Sequence, residues 1–346
     1  MTALTTSGSD VALRRRPARI RLAWLLAVLA ALALALVASV AFGSRTVGWA
    51  DITAALGGTD DTLDQAAVVK RLPRTVLAAL VGAALALSGT VMQGVTRNPL
   101  ADPGILGVNM GAMLAIAVAM TTVGLYTATM YIWVAIAGAA VSALFVYAVG
   151  SLGRGGATPL KIALAGAATS AALASLVVAV VLPRGDVAEN FQSWQVGGVG
   201  GASWDSIGQV LPFLLTGLTV CLLCARALNS LALGDDLAAG LGERVALVRG
   251  VAAAGAVVLC GAATAVAGPI AFVGLIVPHL CRLLVGLDHR WLLPFATLVG
   301  AVLLTVADVA GRVVNRPDEI AAGIVTALIG APFFIYIVRR QKVREL

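Results

Sequence analysis

Residues 103–153 read PGILGVNMGAMLAIAVAMTTVGLYTATMYIWVAIAGAAVSALFVYAVGSLG, and none of them is charged. A helix needs roughly 20 apolar residues to cross a hydrocarbon core, so this run is long enough for two crossings with a turn between them. Further uncharged runs lie at 22–44, 75–96, 162–183, 206–225, 250–281 (His279 counted as neutral), 291–307 and 320–338. Soluble helices carry a polar face about every 3.6 residues, and these segments do not. Across all 346 residues, 60% are hydrophobic and 12% charged. A soluble domain carries about 25% charged residues; half that fraction leaves too little polar surface to cover a globule in water. The chain reads as an all-α, polytopic membrane protein.

Backbone groups in lipid must be satisfied within their own segment, which makes helix the default for each run. Helices are expected at 22–42, 74–96, 105–124, 128–150, 160–182, 206–226, 244–267, 271–285, 291–311 and 319–338, ten in all. Gly268-Pro269 supplies the break that divides the long 250–281 run. With the N-terminus placed in the cytoplasm and sides alternating, 17 of the 24 Lys and Arg residues fall on the cytoplasmic side. That bias supports an even number of crossings with both ends in the cytoplasm. The exception is Lys70-Arg71-Leu72-Pro73-Arg74, which falls outside. Residues 1–20 form a basic cytoplasmic tail. The run after it is longer than a signal-peptide core, so it reads as a retained first crossing. Residues 21–346 form a single membrane domain. Basic charge confined to the short connections points to membrane topology and not to nucleic acid.

Small residues crowd the runs, as in Gly82-Ala83-Ala84 and Gly261-Ala262-Ala263, which lets membrane helices approach closely. Cys221-x-x-Cys224 has knuckle spacing, but no second ligand pair accompanies it, so both read as small packing residues and no metal is expected. No G-x-x-x-x-G-K-[ST] occurs, so the chain does not cradle nucleotide by a P-loop. The glycines of Gly197-Gly198-Val199-Gly200-Gly201 read as a flexible outer loop.

Five segments are more specific than generic packing. They are Arg71-Leu72-Pro73-Arg74 followed by GAALALSGTVMQGVTRNPLADPGILGVNMGA (82–112), WQVGG (194–198), RALNSLALGDDLAAGLG (226–242), GPIAFVGLIVPHLCR (268–282) and ADVAGRVVNRPDEIAAGIVTALIGAPFFIYIVRR (307–340). Together, and in this order, they resemble the iron-siderophore and cobalamin permease family of ABC importers, from about residue 20 to the C-terminus. RNPLADPGILGVNMGA, RALNSLALG and VGLDHRWLLP (285–294) resemble the ferric-enterobactin branch most.

The resemblance implies a type II ABC importer permease of ten transmembrane helices. Helices two to five and seven to ten would form halves of opposite orientation, a common transporter device. It implies uptake of a ferric-siderophore across the inner membrane. The partners would be a second permease subunit, more readily an unlike one, two ATPase subunits and an extracytoplasmic binding protein. ATP and Mg would sit on the ATPase; this chain would bind no cofactor and do no covalent chemistry.

By the same resemblance, Arg71, Arg74 and Arg312 meet acidic residues of the binding protein, a task suited to the planar guanidinium fork. The plainer reading is a helix-end arginine contacting headgroups or pairing with Asp308. The cytoplasmic segment 226–244 reads as a short helix pair that would seat in the ATPase, through Leu231, Leu233, Gly234, Asp235, Asp236, Ala239, Gly240, Leu241 and Gly242; the plainer reading is a linker. The stretch Gly153–Leu160, with Thr158, Pro159 and Leu160, matches the turn that helps close the pathway on the cytoplasmic side in the family, although Thr158-Pro159 departs from the hydroxyl residues of the cobalamin branch. His279 and Asp308 are ionisable groups within or near apolar runs, which marks them as functional candidates. Their structural alternatives are a His279 bond to a backbone carbonyl and an Asp308–Arg312 pair one helical turn apart.

Two other classes remain open. An ion-coupled secondary transporter needs coupling carboxylates at the midplane and has no use for 226–242. A membrane-embedded enzyme needs a side-chain cluster beyond His279 and Asp308. The same importer architecture also carries heme or cobalamin.

Overall fold

The computed structural model describes residues 17–124, 128–153 and 158–342. Among these, helix is the regular structure and no strand occurs. The elements are α1 (Ala18–Ala41), α2 (Trp49–Leu56), α3 (Leu63–Thr96), a 3-10 turn (Pro103–Leu106), α4 (Val108–Val123), α5 (Ala128–Ser151), α6 (Pro159–Val181), α7 (Gly185–Gln195), α8 (Trp204–Leu223), α9 (Ala225–Leu231), α10 (Asp235–Gly240), α11 (Val245–Ala267), α12 (Val273–Val285), α13 (His289–Val314) and α14 (Ala322–Lys342).

Seven of these helices are long and apolar enough to cross a membrane: α1, α3, α5, α6, α8, α11 and α13. Two more, α4 and α12, are apolar but shorter, and α14 is apolar over Ala322–Tyr336. Every one of the ten expected segments therefore coincides with an apolar helix, while α4 and α12, at 16 and 13 residues, lack the length of a full crossing. For α4 and α12 the cause is visible in the backbone. The chain leaving α3 does not reach α4 directly. It turns back along α3, so that Asp102 Oδ2 lies against Gly274, which in turn abuts Gly89. Gly89 is seven residues before the end of α3, about 10 Å along the axis at ~1.5 Å per residue. Helix α4 thus starts inside the bundle, and α12 starts there after the irregular residues 268–272. Such backbone is tolerated at depth where protein covers it, and Ala101, Leu106 and Ile270 are all buried.

Helix α3 begins eleven residues earlier than the sequence suggests. Thr62 caps it by accepting from the Gln65 amide, and the helix continues through Pro73, which forfeits one intrahelical bond. α3 forms the axis of the bundle: 78% of its most apolar window is buried, against 11% for α1 and for α6. It runs antiparallel to α13 at very short separation. A Cβ placed on Gly82 would lie 2.2 Å from Gly300 O, so glycine is what permits this approach.

Helices α2 and α7 follow no apolar run. α2 buries Ile52 and Ala55 and exposes Trp49 and Leu56, the division of a helix lying along an interface.

Candidate functional site

At one end of the bundle, the end that charge bias assigns to the outside, α1 finishes against α3 and α13. The last carbonyls of a helix have no intrahelical partner and carry its negative dipole end. Arg71 and Arg312 meet them, and Arg316 meets a carbonyl two residues beyond the helix. Arg71 donates through Nη1 to Val40 O and Ala41 O, each at 3.0 Å, and through Nη2 to Arg45 O at 2.6 Å. Arg312 donates through Nη1 to Ser39 O at 3.0 Å and Phe42 O at 3.1 Å, and through Nη2 to Ser39 Oγ at 2.7 Å. Arg316 Nε donates to Gly43 O at 2.8 Å.

Arg71 and Arg312 are therefore interior. Arg312 is 1% exposed. The sequence placed both at outer helix ends where a partner would meet them; the structure turns them inward, because the carbonyl end of α1 offers fixed acceptors that lipid does not. Asp308, also 1% exposed, takes Arg312 Nη2 at 3.0 Å and Arg74 Nη2 at 2.9 Å. The Asp308–Arg312 pairing expected from their spacing is present. Arg74 keeps an exposed edge and also donates to Glu319 Oε2 at 2.6 Å, a residue the sequence reading did not single out.

Glu319 lies between α13 and α14. Partial burial alone would raise its pKa, but the bond and charge of Arg74 hold it below the ordinary glutamate value of 4.5. A depressed carboxylate contributes stability that is present above its unfolded pKa and lost as pH falls through its folded one. The thermal midpoints of the native chain and Glu319→Gln should accordingly differ by a constant amount from pH 8 to 6 and converge below about 4.5.

Beside this cluster is a cleft of about 430 Å³ where three of the motifs converge. Arg74 and Glu319 line it together with Trp194, Gly198 and Ala322. The glycine loop expected to be flexible is fixed here. Gly198 N donates to Ala267 O at 2.7 Å, and Gly323 N donates to Gly197 O at 3.0 Å. WQVGG, the end of α11 and the start of α14 thus form one floor.

At the opposite end, α9 and α10 make the expected short helix pair. Gly234 (φ 117°) and Gly242 (φ 87°) bracket α10 in the left-handed region that glycine enters without penalty. Leu228, Leu231 and Ala238 are buried and hold the pair to the bundle. Leu231 is thus an anchor and not a contact surface. Leu233, Leu237 and Leu241 are 59–65% exposed and form an apolar face with nothing over it, while Asp236, Ala239, Gly240 and Gly242 are exposed around them. Asp235 turns toward the bundle and pairs with Arg97 and Arg249. Asn229 joins α9 to α13: it donates to Asp288 Oδ1 at 2.8 Å and accepts from His289 N at 2.9 Å. Partial burial alone would raise the Asp288 carboxyl, but the Asn229 bond and one from the Arg290 amide hold it below its ordinary range.

Residues 31–340 match the FecCD transport family. The chain belongs to the FecCD transport family. The iron(3+)-hydroxamate import system permease protein FhuB of Bacillus subtilis (strain 168) is 46% identical over 273 residues, which are 79% of this chain and 71% of FhuB. The ferric enterobactin transport system permease protein FepD of Escherichia coli (strain K12) is 44% identical over 305 residues, 88% of this chain and 91% of FepD. A solved metal-chelate type ABC transporter in an inward-facing conformation has a TM-score of 0.79 at 29% identity, covering 92% of this chain and 99% of that one. This FecCD chain is a membrane permease, and ATP hydrolysis belongs to a separate ATPase subunit.

The remaining candidate residues of this FecCD chain fall into place individually. Thr158 caps α6 by accepting from the Lys161 amide at 3.3 Å, Pro159 takes the first helical position, and Leu160 is exposed. Residues 154–157 of the gate turn lie outside the described residues. His279 meets Leu275 O through Nδ1 at 2.8 Å, the carbonyl contact anticipated for it. The four cysteines are free, and among the described residues no group of three or more His, Cys, Asp or Glu side chains is placed to hold a metal.

Proposed function

We propose that this chain is the permease subunit through which a ferric-siderophore crosses the inner membrane, with ten crossings and both termini in the cytoplasm. It pairs with a second, unlike permease subunit and two ATPase subunits. The observation that carries the reading is the bare leucine face of α9–α10 on a chain that has no nucleotide cradle of its own. Apolar side chains left uncovered beside a membrane mark a protein partner. A binding protein delivers the chelate to the outer cleft. Of the three arginines, Arg74 is the one with an exposed edge for docking, while Arg71 and Arg312 hold the platform beneath it. The 158–160 turn is proposed as part of the inner closure.

The test is uptake of radio-iron chelates into proteoliposomes holding the full importer. ATP- and binding-protein-dependent uptake is expected, and the accepted chelate names the cargo. Accumulation driven by an ion gradient without ATP would reject the reading and favour a secondary transporter; uptake of heme or cobalamin alone would keep the architecture and change the cargo. In the same preparation, Leu237→Asp is expected to weaken retention of the ATPase subunits by about 2 kcal/mol or more, the loss typical of a central interface residue, measured by titration of purified ATPase onto the permease.

A further inference from the structure

Asp235 is the first residue of α10, and its carboxylate is shared by two guanidiniums from the bundle. Arg249 Nη2 lies 2.8 Å from Oδ1, and Arg97 pairs with the same oxygen. Arg249 belongs to α11 and Arg97 caps the end of α3. The three residues therefore tie the ATPase-facing elbow to the axial helix and to one of its neighbours.

Two independent features indicate that these arginines are placed for this contact. Arg97 holds a left-handed backbone, φ 51°, at a helix end where glycine or asparagine is the unstrained choice. A non-glycine residue persists in such a conformation where its surroundings over-determine it. The Arg249 Nε is buried without a hydrogen-bond partner among the described residues, so Asp235 is the acceptor that this guanidinium has. All three side chains are 23–47% exposed. Ion pairs so exposed contribute little to static stability, which suits a tie that is made and broken more than one that holds the fold.

α10 is also built to move as a unit. It is six residues long, has one buried side chain (Ala238) and is bracketed by Gly234 and Gly242, positions that absorb backbone rotation. Beyond Arg97, the chain runs directly into the returning segment 98–107. That segment lines a cavity of about 410 Å³ with Leu100 and Asp102, opposite Ala163 and Ser170 of α6 and Phe272.

We propose that the Asp235–Arg97–Arg249 contact is the link by which movement of the ATPase-bound elbow reaches that cavity. Asp235 moves with α10, Arg97 follows it, and the segment 98–107 shifts against α6. Arg97 is a positioning residue in this scheme. It touches no cargo. The proposal rests on the permease reading.

The experiment uses the full importer in proteoliposomes with two readouts. One is chelate taken up per ATP hydrolysed. The other is the distance between spin labels at Leu100 and Ala163, measured with and without ATP trapped on the ATPase. Arg97→Gln is expected to keep the ATPase subunits bound, to lower uptake per ATP about tenfold, a typical coupling factor, and to abolish the ATP-driven change in label distance. Arg97→Lys, which keeps the charge, should restore both in part. An unchanged ratio together with an unchanged distance response overturns the proposal. So does loss of the ATPase subunits from the Arg97→Gln complex, which would make the pair an assembly contact. The distance measurement needs no cargo, so it decides the link even where the wild-type importer takes up no chelate and the functional reading is the one that fails.

Discussion

Asp308→Ala is expected to destabilise the purified permease by about 3–5 kcal/mol, the range for removing one partner of a buried ion pair. Asp308 accepts from Arg74 and from Arg312 at 2.9–3.0 Å and is 1% exposed. Its removal leaves Arg312, equally buried, with backbone and hydroxyl acceptors at the end of α1 but no anion. Arg71 shows why that is insufficient for Arg312. Arg71 also lacks a carboxylate, yet it sits directly on the last carbonyls of α1, where the helix dipole supplies about half a negative charge. That half-charge does not neutralise two guanidiniums. Arg74 loses less, because Glu319 still holds its Nη1. The measurement is the unfolding midpoint in detergent, with Arg312→Ala and the double substitution alongside. The double variant should fall well short of the sum of the singles, since residues in one network couple. A role confined to docking predicts the opposite pattern: normal midpoints and weakened binding-protein affinity.

That cluster marks the boundary of what the sequence discloses. Helix identity was legible wherever apolar residues run together, because a membrane imposes one length and one composition on a crossing. All ten expected segments are helical for that reason. The short helices α2 and α7 escaped notice because each spans 8–11 residues and mixes polar with apolar side chains, a pattern that a loop shares. The eleven additional residues of α3 were hidden by Lys70-Arg71-Leu72-Pro73-Arg74, which reads as a loop when its charges are assumed to face water. The direction of an arginine is a tertiary fact: nothing near Arg312 in sequence reveals that α1 ends beside it. At the other end, the elbow is legible from Gly240, Gly242 and the acidic pair, yet the structure turns at Gly234 and Gly242, and which of its residues face outward is not legible. Leu231 and Leu233 are two positions apart, and one is buried while the other is exposed. The same limit hid Arg97, whose sequence context is a turn.

Gly82→Leu is expected to prevent the bundle from assembling, and Gly82→Ala to cost about 1–3 kcal/mol, the range for overpacking a tight contact. The Cβ of either variant would stand 2.2 Å from Gly300 O and 2.7 Å from Leu304 Cβ, where ordinary contact begins near 3.4 Å. The first obstacle is backbone, so no rotamer relieves it; α3 and α13 must separate. The effect does not stay local, because these two helices carry both ends of the machine. Arg74 lies eight residues before Gly82, and Asp308 eight residues after Gly300, about 12 Å outward on each strand of the pair. In the other direction, Gly94 of α3 touches the His289 ring, and His289 bonds Asn229 of the elbow. Wedging the pair apart at its midpoint therefore lengthens the outer ion pairs and loosens the attachment of α9 together. Gly208→Leu provides the control, since Gly208 is exposed and a Cβ there meets nothing within 4 Å. Monodisperse, heat-stable protein from Gly208→Leu and aggregated or degraded protein from Gly82→Leu would establish the α3–α13 contact as the structural axis. Equal behaviour of the two variants would mean that the helices tolerate a wider separation, and that the outer and inner clusters are held independently of each other.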